Sequence, residues 1–247
     1  MVSSLRTQLQ HDAAHGWDVA PRVALAVFFA HFVGAAAVIL ARADKPFFRF
    51  LTREDSLLEW AQFVGFVTAG VLAALVGRQL LRQTRGLPAI LFFAFALGCF
   101  AIAGEEIAWG QRLLGYATPE SIEEINEQRE TTVHNIGSVQ DAANIAFTLV
   151  GLYGSVGAWF LRLRRPRWAS RPNVDLLIPP LFLTSCFFVV FGYKTLRYVF
   201  FPESGYTVTK LGEWPEFCLA FAFAAFSFLT LRRLRAVSVS RGEGESG

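Results

Sequence analysis

A chain of 247 residues with 53% hydrophobic and 17% charged side chains, a mean hydropathy of +0.40 and a formal charge of +3 lies on the apolar side of ordinary soluble domains. Twenty-five Phe and six Trp sharpen that bias. The composition excludes a disordered chain, a collagen-like repeat and a secreted disulfide scaffold.

Six apolar runs reach or approach the roughly 20 residues that a helix needs to cross a hydrocarbon core. In chain order they are Val19 to Ala41, Leu57 to Leu81, Leu87 to Trp109, Ala142 to Leu161, Leu176 to Phe200 and Trp214 to Leu231. None alternates with period two. The sequence therefore predicts one all-α integral membrane bundle of six transmembrane helices over residues 1–247, with short N- and C-terminal tails. Ala41-Arg42-Ala43 has the small-x-small form of a signal-peptidase site, but the apolar run before it is too long for a signal-peptide core, and an uncleaved first span is predicted. A short interfacial helix is expected between the third and fourth spans. Thr118-Pro119-Glu120 supplies its N-cap, first-turn Pro and first-turn acid, and its end is expected at about Thr131.

With six spans, the N-terminus, the 78–86 and 162–175 loops and the C-terminal tail share one side. That side holds fourteen arginines and five acids, leaving nine cations and fifteen acids for the other. Lys and Arg concentrate in cytoplasmic loops. Both termini are thus expected in the cytoplasm, the chain in the cell (inner) membrane, and lipid rather than nucleic acid as the partner of the basic loops. Trp60, Trp109 and Trp214 are placed at the outer interface, and Trp17, Trp159 and Trp168 at the inner one. Cys99, Cys186 and Cys218 lie in apolar runs without metal-ligand spacing and read as packing residues.

Polar residues gather at the outer ends of the spans. Gly104-Glu105-Glu106-Ile107-Ala108-Trp109-Gly110-Gln111-Arg112 puts two adjacent acids at the C-terminal end of the third span, where the helix dipole opposes them. A continued helix would set Glu105, Trp109 and Arg112 on one stripe, as an interfacial anchor or as part of a site. Asn126, Glu130 and His134 follow at i, i+4 and i+8, a spacing that brings a carboxylate and an imidazole to one metal or one proton path; a solvated loop helix is the plain alternative. Glu59 lies one turn inside the second span and shares a face with Asp55, and an ionisable group within a span points to function. Tyr193, Lys194 and Arg197 occupy the outer third of the fifth span, suited to neutralise acids, hold an anionic headgroup or snorkel. Glu213 and Glu216 flank Pro215, where a helix N-terminus already favours acids. His31, in mid-span, is expected to be neutral and hydrogen-bonded across a helix interface. No equivalent polar cluster is expected at the cytoplasmic end.

The Gly-Glu-Glu-x-x-Trp-Gly-Gln-Arg string, followed by Asn126, Glu130 and His134-Asn135, resembles a group of uncharacterised bacterial multi-pass membrane proteins with no assigned activity. The resemblance covers roughly residues 54–135, together with 213–216, and implies a membrane location. Alkaline-ceramidase-like hydrolases gather several intramembrane histidines and an acid around zinc; one outer histidine and no His pair in the last span depart from that pattern. The residue types suit an enzyme acting on a lipid or lipid-linked substrate from the outer face. Glu105, Glu106, Glu59 and His134 would do its acid–base work, and Arg112, Lys194 and Arg197 would hold an anionic headgroup. Glu105, Glu106, Glu130 and His134 form a candidate site for one divalent metal, a carboxylate-rich set that suits Mg, Mn or Fe better than Zn. A transporter or proton-coupled permease, favoured by His31 and Pro179-Pro180, and a membrane assembly or scaffold subunit are the competing readings.

Overall fold

The structure is a computed structural model and describes residues 4–53, 56–124, 126, 131–132, 136–201 and 205–244, with the main chain alone at Arg112 and over 237–244. Its elements are α1 (Leu5–His11, prolonged by a π turn over Asp12–Gly16), α2 (Pro21–Ala41), α3 (Lys45–Thr52), α4 (Leu57–Arg82) and α5 (Gly86–Glu106). After the short α6 (Gln111–Leu114) and α7 (Glu120–Glu123) come α8 (Gly137–Leu152) and, through a π turn, α9 (Ala158–Arg164). The remainder is α10 (Pro172–Asp175), α11 (Thr184–Thr195), α12 (Tyr206–Lys210) and α13 (Glu213–Gly244). No strand occurs among the described residues.

Five stretches are long and apolar enough to cross a membrane: Pro21–Ala41, Lys45–Arg82, Gly86–Glu106, Gly137–Arg164 and Tyr206–Ala236. This all-helical, apolar bundle is the architecture of a polytopic membrane protein. The helix α13 is its axis, packed on α4, α11 and α2. Just over half of its apolar window is buried (56%), against 22% for α2, whose Val23, Phe29, Val33, Ile39 and Leu40 point outward. Apolar side chains all round a helix are what a span needs, since its outer face meets lipid. Close packing comes from small residues. The buried face of α4 runs through Ala69, Gly70, Ala73 and Gly77, and Gly34 of α2 lies so near the Trp214 indole that a Cβ there would enter the ring.

The expected span Leu176 to Phe200 is interrupted. Pro179-Pro180 cannot continue a helix, because the second Pro lacks an N–H and forces an extended residue before it. The chain turns helical again at Leu181–Leu183 and runs through α11 into a π turn ending at Phe200. The groups orphaned by the break find partners elsewhere in the sequence. Asp12 Oδ2 accepts the Leu181 N–H at 2.8 Å, and the Arg162 guanidinium donates to the carbonyls of Ile178 and Pro179. Arg162 also pairs with Asp175 at 2.7 Å, and Arg233 meets the other oxygen of that carboxylate at 2.6 Å. Both guanidiniums lie over the Trp17 ring, 5.3 and 5.5 Å from its centroid. The expectation of no polar cluster at this end is therefore corrected: a half-enclosed ion network closes it. Two consequences follow for the N-terminus. It is no loose tail, since Leu9, Ala13 and Trp17 are buried in the main core, and Trp17 is a buried ring rather than an interfacial one.

Candidate functional site

At the opposite end of the bundle, α5 stops at Glu106 and the chain reverses hand. Ala108, Trp109 and Gly110 have φ of 47°, 53° and 85°, a left-handed turn that is costly for the two residues bearing a Cβ. The expected helical stripe through Trp109 and Arg112 is thus absent. The turn instead folds the Trp109 indole back over Gly104, so that its Nε1 donates to Glu105 at 2.6 Å. The Tyr116 hydroxyl donates to the Trp109 carbonyl at 3.1 Å and steadies the turn. Gln111 binds onward, donating to Thr118 Oγ1 at 2.7 Å and accepting the Thr131 N–H at 2.6 Å.

The loop helix is shorter than expected. Its N-cap is Pro119 rather than Thr118, and α7 ends at Glu123. Asn126, Thr131 and Thr132 are non-helical, so the continuous face from Asn126 towards His134 is not formed at its first residue. Asn126 is a structural latch: buried, it donates from Nδ2 to the Thr132 carbonyl at 2.6 Å and to Thr132 Oγ1 at 3.1 Å. Glu130, His134, Asn135 and Asp55 lie outside the described residues, as does the Arg112 side chain. Glu59 sits in the first turn of α4, with Ser56 as N-cap accepting its N–H at 3.3 Å. An acid three residues after a Ser N-cap is a capping arrangement in its own right.

The residues that the fold does bring together centre on α11. Lys194, only 5% exposed, donates to Asn144 Oδ1 of α8 at 3.0 Å and to Glu216 Oε1 of α13 at 3.3 Å, with the Phe147 ring 5.3 Å away. Beside it, the fully buried Gln62 of α4 donates to the carbonyl and carboxylate of Glu213, at 2.9 and 3.1 Å. Lys210 pairs with the other carboxylate oxygen of Glu213 at 3.2 Å. The Tyr193 hydroxyl donates to the carbonyls of Val208 and Thr209 and ties α11 to α12. Arg197 approaches that hydroxyl at 3.4 Å, while its Nε is buried without a partner among the described residues. The helix α11 with its π turn, α12 and α13 thus bring three cations and two carboxylates to one end, and α4 and α8 add the amides of Gln62 and Asn144. Arg197 has no carboxylate partner among the described residues. A guanidinium with no ion pair at hydrogen-bond distance can receive an anion, although Asp141 of α8 also acts on the neighbouring Tyr198.

Of these residues, sequence reasoning identified Lys194, Arg197, Tyr193, Glu213 and Glu216 and missed Gln62, Asn144 and Lys210. The signal for Gln62 and Asn144 was present: an uncharged amide inside an apolar run also needs a partner. His31 behaves as expected. Its Nδ1–H donates to the Val27 carbonyl at 2.7 Å, which leaves Nε2 to accept from Cys186 Sγ at 3.2 Å on α11. Among the described residues no three His, Cys, Asp or Glu side chains gather as a metal would require. The class of protein is set by fold and composition, an apolar helical bundle with a cluster of charged side chains at one end. Comparison with protein families, with curated proteins and with solved structures finds no match.

Proposed function

We propose that the chain is a six-span protein of the cell (inner) membrane, with both termini in the cytoplasm, that receives the anionic head of a lipid or lipid-linked substrate at its outer end. Leu181–Phe200 is the remaining span; at 1.5 Å per residue it is about 30 Å long, enough to cross. The observation that carries the reading is Lys194, a nearly fully buried ammonium shared between a neutral amide and one carboxylate, beside an Arg197 Nε that finds no partner among the described residues. Charge of this kind is expensive inside an apolar bundle unless function requires it. Lys194 and Arg197, with Arg112, hold the headgroup. Glu105, Glu106, Glu59 and His134 do the acid–base work, while Glu216, whose side chain is 30% exposed, holds Lys194 in place. One divalent metal (Mg, Mn or Fe before Zn) at Glu105, Glu106, Glu130 and His134 belongs to the same proposal, and so do the interfacial placement of α7 and kinship with the membrane proteins that share the 104–112 string.

Lipid profiling of a deletion strain tests it. Deletion is expected to deplete or accumulate one lipid species, the intact gene to restore it, and Arg197→Gln to restore at least about tenfold less activity at normal membrane abundance. An unchanged profile on deletion, or full restoration by Arg197→Gln, contradicts it.

A further inference from the structure

A cavity of about 200 Å³ lies away from the Lys194 group. Leu91 and Phe95 of α5 wall one side, Val150 of α8 and Tyr153 the other, and Phe187 of α11 and Phe223 of α13 form the floor. Its walls are exposed or half-buried while Phe187 is buried, so the mouth faces sideways. The packing leaves it open: α5 rests on α4, and α8 on α11. In a bilayer such a mouth faces acyl chains, and its lining is almost entirely apolar.

The cavity lies near the basic end, because Leu91 follows the start of α5 by less than two turns. There Arg85, the N-cap residue of α5, donates from Nε to Asn173 Oδ1 at 2.6 Å, whereas its Nη2 is buried without a partner among the described residues. Arg233 is fastened to the same short helix α10 through Asp175 at 2.6 Å. Burial first, and the neighbouring Arg233 charge second, disfavour the charge on Arg85. Two guanidiniums held near each other, one with an unused N–H pair, lose free energy that an anion with several acceptor oxygens restores. A phosphate fits that requirement, and the apolar cavity along α5 fits what a phospholipid phosphate carries with it.

We propose that the opening between α5 and α8 binds one anionic phospholipid of the cytoplasmic leaflet, with an acyl chain in the cavity and its phosphate at Arg85 and Arg233. This rests on the membrane orientation proposed above and not on the chemistry at the outer end. Native mass spectrometry of the full chain in mild detergent, titrated with phosphatidylglycerol or phosphatidylcholine, tests it without reference to activity. Wild type is expected to retain one phosphatidylglycerol about tenfold more tightly than phosphatidylcholine, and Arg85→Gln to abolish that preference. Val150→Trp, which fills the cavity, is expected to weaken both lipids; should that variant misfold by circular dichroism, Arg85→Gln decides alone, since Arg85 precedes the span. Inorganic phosphate is expected to leave the bound lipid in place. Equal retention of the two lipids by wild type, an unchanged preference in Arg85→Gln, or displacement by inorganic phosphate overturns the proposal.

Discussion

Ala108 and Trp109 occupy left-handed backbone that L-residues avoid at a cost of about 1–2 kcal/mol each. Trp109 recovers part of that cost through its bond to Glu105 and its contact with Gly104. Ala108 has only a methyl group to offer, and that methyl is buried. Ala108→Gly should therefore keep the turn and relieve the strain, raising stability by up to about 1 kcal/mol in thermal unfolding of the detergent-purified chain. A loss of stability would mean that the methyl contact outweighs the backbone. The sequence could not disclose this turn. Helical periodicity continues unbroken through Glu105, Trp109 and Arg112, and only Gly110 hinted that the hand would change.

Among the elements, the break at Pro179-Pro180 shows how distant residues complete a helix start. Pro-Pro announces the break from sequence, but nothing local announces that Asp12, far away in the chain, caps Leu181. Burial raises the Asp12 carboxyl above its ordinary 3.8, opposed by the Leu181 N–H and the Arg162 charge. A carboxyl whose folded value is raised contributes stability that is present at low pH and lost as pH rises through that value. Between 3.8 and the raised value, wild type should accordingly gain stability over Asp12→Asn as the solution is acidified, a trend readable in paired melting curves. Asp12→Ala, which removes the acceptor altogether, should cost about 1–2 kcal/mol at neutral pH. Parallel curves for wild type and Asp12→Asn would argue against the buried carboxylate. Five short helices, α1, α3, α6, α10 and α12, escaped the sequence reading for a related reason. All are too short to register as apolar runs, although Asp44, which accepts the Phe47 N–H at 3.1 Å, and Pro46 form a plain N-terminal signal for α3.

Across the whole molecule the two ends differ in kind. At one, Arg162, Arg233, Asp175 and Asp12 close upon each other and upon Trp17. At the other, Lys194, Glu216, Asn144, Gln62 and Glu213 meet from four helices, with Arg197 lacking a carboxylate partner among the described residues. Hydropathy and arginine placement made the apolar helices and the asymmetry legible before any coordinates. Which charges would be spent on each other was not legible, because pairs such as Gln62 with Glu213 are 151 positions apart and depend on how α4 packs against α13. The account depends above all on these helices crossing a bilayer with the arginine-rich end inside. Its most direct test is labelling with a membrane-impermeant maleimide, feasible because Cys99, Cys186 and Cys218 are all buried. Glu120→Cys should be labelled in intact cells and Arg167→Cys only after the membrane is opened, both positions being exposed. Labelling of Arg167→Cys in intact cells, with Glu120→Cys protected, would contradict the orientation and the outer site with it.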